Sequence, residues 1–355
     1  MTSPSATPSA TRERVEPPRA WGRDTDDFLR VLLSPWHRLV IELGDVLTRA
    51  TVEFSHRAGL RATHLPLTTR TVTCPTGVGS DSEPVPVDVG GIQTFLADSA
   101  QFLLEYGCRL APGGCYCILP SFRAEKPDAT HLSQFVHSEA EIPGGLDDLI
   151  AHVEAYVRFL AARILHESGS VLADAIGDVG HLERMAGSDG AFARLTFREA
   201  VSLLSDDPGF LNGAGGAWAI TRRGEQRLLD VAGEFVWITH FDHLSVPFFQ
   251  AFADDGHRSA CNADLLFGVG EVVGGGERHA TGTDVRTALR LHKVPESDYS
   301  WYARMKDRLP MRTSGFGLGM ERFLLWVLRH EDIRDIPFVS RIDEELDWPS
   351  RVERP

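Results

Sequence analysis

Apolar residues recur at helical spacing between Trp36 and Arg57, at Leu39, Leu43, Val46, Leu47, Ala50 and Phe54, which predicts an amphipathic helix with one buried stripe. Gly59 follows as its C-cap, because glycine enters the left-handed conformation that ends a helix without a Cβ clash. Leu65-Pro66-Leu67 begins a short extended piece. From Val87 onward the period shortens. VPVDVGG and TFLA are strand-like, Ser99 to Tyr106 is helical, and CYCILPSF is a continuous apolar run of the kind a buried strand presents. FRAEKPDATHLSQFVHSEAEI predicts a strand, a polar loop and a returning strand, and Leu146 to His166 a long helix. In residues 169–232, LTFREAVSLL is amphipathic while the glycine-rich GFLNGAGGAW predicts a surface insertion. EFVWITHF and CNADLLFGVGEVVGGG return to strand, and Asp284 to His292 is helical with Thr283 as N-cap. SGFGLGMERFLLWVLRH predicts a glycine-rich strand turning into a helix. Strands and helices mix without βαβ alternation or internal repeat. The expected fold is therefore α+β, an antiparallel sheet flanked by helices, in place of a doubly wound sheet.

Composition narrows the class. The 355 residues are 43% hydrophobic and 24% charged, which excludes wholesale disorder, a collagen-like repeat and a disulfide scaffold. Fifty acidic against 36 basic residues give a net charge of −14, which disfavours nonspecific nucleic-acid binding but leaves room for a local basic groove. The five cysteines, with Cys115 and Cys117 as C-x-C, have neither zinc-ribbon nor redox-pair spacing and fit reduced thiols of a cytoplasmic protein. No apolar run approaches the ~20 residues of a membrane span, so no membrane partner is expected. Residues 1–24, rich in Ser, Thr, Pro and Arg without an apolar stretch, suggest a disordered tail ahead of a single domain over 25–355. The Gly-, Ser- and Pro-rich loop from Cys74 to Pro86 suggests a mobile flap at an active site.

Three groups of residues carry candidate chemistry. Arg123 and Glu125, two apart on a predicted strand, share a face, and the loop from Lys126 to Thr130 returns His131, Phe135, Glu139 and Glu141 beside them. A guanidinium, a carboxylate, an imidazole and a ring on one surface suit a nucleotide, although spacing alone equally fits a salt-bridged hairpin. Gly315, Gly317 and Gly319 in GFGLGMER strip one strand face of side chains just before Arg322. Each interior glycine weakens a strand by about 0.5–1 kcal/mol, so a ligand or another element must approach the backbone closely. Asp264 and Glu271 meet if a turn at Gly268–Gly270 joins two strands, and paired carboxylates beside phosphates hold Mg²⁺; Arg278 follows. Two solvated acids would have the same spacing.

In this order and combination, the segments resemble the catalytic domain of class II aminoacyl-tRNA synthetases, in the aspartyl/asparaginyl subgroup. FRAE with H-x-x-x-F resembles the family's motif 2, GFGLGMER its motif 3, and the helix from Trp36 with Pro66 its motif 1, over roughly residues 36 to 342. The resemblance implies ATP and Mg²⁺. It implies that Arg123 contacts the α-phosphate, Glu125 the adenine side and His131 the outer phosphates. Phe135 and Arg322 would sandwich adenine over Gly319, with Arg123 and Arg322 as the catalytic pair. Asp264 and Glu271 would hold the metal, Glu271 also lying at the ATP, and Glu139 would receive the substrate ammonium. The implied reaction is attack of an amino-acid carboxylate on the α-phosphorus, giving an aminoacyl-adenylate and pyrophosphate.

Ser99, Gln101 and Glu105 resemble the subgroup's S-x-Q-x-x-x-E segment, in which Glu105 fits the asparagine-specific pattern. Glu105 would accept from the side-chain amide while Arg278 donates to its oxygen, favouring asparagine over aspartate. No anticodon-binding domain precedes the resemblance, and the loop KPDAT is short and poor in Arg. The flap has Thr76-Gly77 where the family has Glu-Gly, and Gln134 stands where Glu is usual. The expected function is an adenylate-forming ligase whose acceptor is a small molecule ahead of tRNA. An asparagine–tRNA ligase, an asparagine synthetase using aspartate and ammonia, and a silent ATP-binding paralogue are the alternatives. A homodimer is expected from motif 1.

Overall fold

The computed structural model describes residues 14–21, 26–73, 83–214 and 217–339. Thr76-Gly77 and the rest of the loop up to residue 82 lie outside them. Helix α1 (Asp27–Leu33) leads into α2 (Pro35–Arg57), where the Ser34 hydroxyl accepts from His37 N and Pro35 takes the position at which a missing N–H is harmless. α2 buries Leu39, Leu43, Val46, Leu47 and Ala50, the stripe its period predicts. Its C-cap is Ala58; Gly59, at φ +81°, stands one residue beyond. Short strands β1 (Arg61–Ala62) and β2 (Thr68–Thr69) follow. β3 (Pro86–Val89) and β4 (Ile92–Leu96) form a hairpin turned by Gly90 and Gly91. α3 (Gln101–Cys108), β5 (Cys115–Phe122) and β6 (Gln134–Pro143) come next. β5 stops at Phe122, so Arg123 and Glu125 lie in the loop after it and not on the strand the pattern predicts.

α4 (Leu146–Ile176) runs ten residues past the predicted His166, because the apolar stripe continues through Leu172 and Ile176 until Gly177 turns out at φ +87°. Then come α5 (Gly180–Gly187), β7 (Ala193–Thr196), α6 (Phe197–Leu203), β8 (Leu211–Ala214), β9 (Ala217–Ile220) and α7 (Arg222–Ala232). Only the β8–β9 hairpin matches the surface insertion predicted there. β7 joins the central sheet, and Phe197, Ala200, Leu204 and Leu228 form a core cluster with Val236, Ile238 and Leu266. The chain ends its fold with β10 (Val236–Thr239), β11 (Asn262–Phe267), β12 (Gly270–Glu277), α8 (Gly282–Leu291), α9 (Glu296–Arg308), β13 (Thr313–Gly319) and α10 (Met320–Val327). The N-cap of α8 is Thr281, whose hydroxyl accepts from Asp284 N; Thr283 lies inside the helix.

The architecture is α+β. An eight-stranded sheet runs in the order β1-β5-β6-β13-β12-β11-β10-β7. Its interior pairs are antiparallel, and only the outer strands β1 and β7 pair parallel with their neighbours. The main core lies on one face, where α2, α4 and α10 bring Leu43, Leu47, Val153, Val157 and Phe323 against Ala140 of β6 and Phe316 and Leu318 of β13. Strand alternation therefore turns Gly315, Gly317 and Gly319 to the other face. The register sets them directly beside Glu141, Glu139 and His137 of β6. Residues 14–21, expected within a disordered tail, are docked: Val15 N donates to Ala175 O, Arg14 caps the end of α10 at Leu328 O and Arg329 O, and Trp21 Nε1 donates to Asp335.

Candidate active site

The glycine face and the β5–β6 loop enclose a cleft of about 530 Å³. Its lining includes Arg123, Glu125, His131 and Phe135 from the loop and β6, Glu271 from β12, and Gly319 and Arg322 where β13 passes into α10. All the residues expected to hold a nucleotide thus converge. The Arg123 guanidinium lies 5.3 Å from the Phe135 ring centroid. Asp128 shapes the loop, its Oδ1 accepting from Thr130 N at 2.7 Å and His131 N at 2.9 Å, which leaves the His131 ring exposed at the rim. Glu125 Oε1 accepts from Glu83 N at 2.8 Å. Glu125 Oε2 and Arg123 Nε are buried without a hydrogen-bond partner among the described residues, one acceptor and one donor left for a polar ligand. Arg322 donates to Glu271 O at 2.8 Å and to Thr130 O at 3.5 Å, tying α10 to β12 and to the loop.

Below the cleft, Glu139 is buried. The Ser99 hydroxyl and Ala100 N at the head of α3 both donate to its carboxylate, and burial pushes its pKa up. Gln101 Nε2 donates to Phe316 O at 2.9 Å. Arg278 is 2% exposed and nearly saturated. It donates to Glu141 through Nε at 3.3 Å and Nη2 at 3.2 Å, to Gln250 at 3.1 Å and to Gln101 at 2.5 Å. Burial works against its charge, but Glu141 and Glu105 hold its pKa up. Burial pushes Glu141 to about 7. Gly315 is what makes this knot possible, since a Cβ there would overlap Glu141 and come within 2.5 Å of Gln101 Oε1.

Glu105 departs from its expected role. It has no exposed surface; Tyr302 donates to Oε1 at 2.5 Å and Lys306 to Oε2 at 2.5 Å. Each oxygen accepts from a residue of α9, so Glu105 anchors α3 to that helix. Neither Lys306 nor Gln250 carries a local signal in the sequence. His137 is not among the residues singled out from the sequence; its place between Phe135 and Glu139 at period two is the signal that marks it.

Asp264 and Glu271 do meet. A Cβ built on Gly274 would lie 2.8 Å from Glu271 Oε1 and 3.5 Å from Asp264 Oδ1, so both carboxylates fill the space over that glycine. Burial, then Glu271 and Glu225, push the Asp264 pKa well up. Glu225 of α7, raised to about 7 by burial and by Glu271, is a third acid the sequence reading did not include. Two hard oxygen donors short of countercharge suit a divalent cation such as Mg²⁺. Among the described residues no group of three or more His, Cys, Asp or Glu is arranged to hold a metal alone.

Residues 28–341 match the family of class II tRNA synthetases for D, K and N. The probable cytoplasmic asparagine–tRNA ligase of Encephalitozoon cuniculi is 32% identical over 293 residues, covering 79% of this chain and 61% of the relative. The asparagine–tRNA ligase of Thermus thermophilus is 30% identical over 334 residues, 88% of this chain and 73% of the relative. The solved asparaginyl-tRNA synthetase of Pyrococcus horikoshii, complexed with asparaginyl-adenylate, shares the fold at a TM-score of 0.80 and 22% identity, over 90% of this chain and 72% of that one. The fold is that of a class II synthetase catalytic domain, built on a largely antiparallel sheet. The chain belongs to the class II tRNA synthetases of the D, K and N group. It spans 61% of the length of the E. cuniculi relative and 72% of that of Pelotomaculum thermopropionicum.

Proposed function

We propose that the protein is an ATP-dependent ligase that activates asparagine as its adenylate and passes the asparaginyl group to tRNA. The names of the relatives favour tRNA over the small molecule that the sequence reading put first, and nothing in the site favours the latter. The reading rests on the cleft's orphaned pair, Glu125 Oε2 and Arg123 Nε, beside the Arg123–Phe135 platform. An adenine amino group answers the first and a phosphate the second. Phe135 and Arg322 flank the base, Arg123 faces the α-phosphate, and Glu139 receives the ammonium. Asp264 and Glu271 would hold Mg²⁺, which neutralises phosphate charge. The substrate carboxylate attacks the α-phosphorus and pyrophosphate leaves; the protein positions the groups and offsets charge.

The side-chain end supports asparagine by a route other than Glu105. Glu141 already pairs with Arg278, so a carboxamide adds no charge to the pocket, whereas aspartate would bring a second carboxyl to one buried guanidinium. The test is pyrophosphate exchange into ATP with each of the twenty amino acids, followed by charging of tRNA. Arg322→Ala should lose most exchange, about 3 kcal/mol of transition-state stabilisation. No exchange with any amino acid would overturn the enzyme reading, and exchange without tRNA charging would return a small-molecule acceptor. Exchange with aspartate alone would point to the asparagine-synthetase reading. A homodimer and a cytoplasmic site complete the proposal. Leu32, Leu33 and Ile41, 64%, 74% and 56% exposed on α1 and α2, give the dimer an apolar face to bury. Sedimentation showing only monomer at micromolar protein would overturn the homodimer.

A further inference from the structure

Phe135, His137, Glu139 and Glu141 form a file on one face of β6, and same-face residues on a strand stand about 6.6 Å apart. On the reading above, on which this inference rests, the file runs from the nucleobase at Phe135 to the ammonium at Glu139 and the side chain at Glu141. His137 therefore lies where the amino-acid carboxylate and the α-phosphate must join. It lines the cleft, and Gly319 stands opposite it on β13, so nothing from that strand covers the ring. Its Nδ1 is 2.9 Å from Ser121 Oγ and 3.7 Å from Glu139 Oε1, and the ring stands edge-on to Phe135 at 4.7 Å. The charged groups around it are Arg123 from the end of β5, Arg322 from α10 and Glu139 on its own strand. Burial, then the two arginines, hold the imidazole near a pKa of about 3, so it carries no charge.

The geometry points to His137 as a neutral hydrogen-bond donor to the acyl oxygen of the amino acid, a residue that orients the nucleophile without pairing its charge. The Ser121 hydroxyl is taken as the donor to Nδ1, which puts the proton on Nε2 and leaves that N–H for the cleft. A cation at this point would stabilise the carboxylate and blunt its attack; a neutral donor fixes its direction. One carboxylate oxygen forms the bond to the α-phosphorus as the bond to the bridging oxygen breaks, and pyrophosphate leaves with the electron pair. No proton passes through His137. In the transfer step the acceptor hydroxyl attacks the acyl carbon, an electron pair moves onto the carbonyl oxygen that did not bond phosphorus, where the same N–H meets the developing charge, and its return expels AMP through the ester oxygen.

The test is asparagine-dependent pyrophosphate exchange by the full chain, comparing wild type, His137→Gln and His137→Leu, each checked by thermal melting. His137→Met takes the place of the leucine variant if that one does not fold. The leucine variant is expected to lose about a hundredfold in kcat with KM for ATP within about threefold. The glutamine variant, which keeps a neutral donor, should recover at least about tenfold of that loss. The ratio of wild type to glutamine variant should stay constant from pH 6 to 8.5. Full activity without a donor, no recovery by glutamine, or a ratio that falls as the pH drops through 7 would each overturn the proposal and leave the ligase reading standing. Absence of exchange in wild type would overturn both.

Discussion

Lys306 and Glu105 meet with no exposed surface between α9 and α3. Burial lowers the lysine's pKa and Glu105 opposes that shift. Removing one partner strands the other, so Lys306→Met should destabilise the fold by about 3–5 kcal/mol, read as a shift of the urea midpoint. Glu105→Gln should do so less, and should leave the preference between asparagine and aspartate where it was. On the proposed function, that preference is assigned to Glu141. Glu141→Gln removes the carboxylate that already occupies Arg278 and should move the ratio of kcat/KM toward aspartate by about tenfold or more. An unchanged ratio would exclude the pair from selectivity. That Arg123, Phe135 and Arg322 share one cleft was legible from the sequence because they sit in short motifs whose spacing holds in the fold. The direction of Glu105 was not, because it depends on a lysine about two hundred residues away.

Among the elements, the segment between α4 and β10 is the one whose status the fold changes most. β7 extends the sheet, and the Thr196 hydroxyl and Glu199 carboxylate close a capping box at the head of α6. Leu228 of α7, fully buried in that cluster, should cost about 2–5 kcal/mol as Leu228→Ala, measured by denaturant unfolding. A loss below 0.5 kcal/mol would restore the surface insertion. The strands β5, β6, β12 and β13 were readable because a buried strand is apolar or alternates at period two. β7 and α9 were not: the first is four residues long, and the second kinks at Tyr299, which breaks its helical period. The end of α4 was missed because Ser168-Gly169-Ser170 interrupts the stripe just after His166, although the helix continues to Gly177.

For the molecule as a whole, acid stability follows from buried imidazoles and carboxyls of opposite effect. Burial holds His152 and His243 near 4, below their unfolded 6.5, so each contributes stability that is present above pH 6.5 and lost as pH falls toward 4, roughly 3 kcal/mol each. Glu225 and Glu321, pushed by burial to about 7, contribute stability that is present below pH 4.5 and lost as pH rises through 7. Between pH 7 and 5 the two sets oppose each other. The thermal midpoint should be nearly level there and fall as pH drops from about 4.5 to 4, where the imidazoles take up charge unopposed, and His152→Asn should soften that fall. A midpoint that drops already between pH 7 and 6 would show the carboxyls to be ionised throughout. The pairing of β6 with β13 has a consequence for synthesis. β6 is complete at Pro143, but the strand that covers its free edge ends at Gly319. At ribosomal speed that interval lasts on the order of ten seconds, during which a nascent chain exposes an unpaired edge of the kind chaperones shield. The glycine wall of the nucleotide cleft arrives with that last strand, so a truncated chain would be able to aggregate before it could bind ATP.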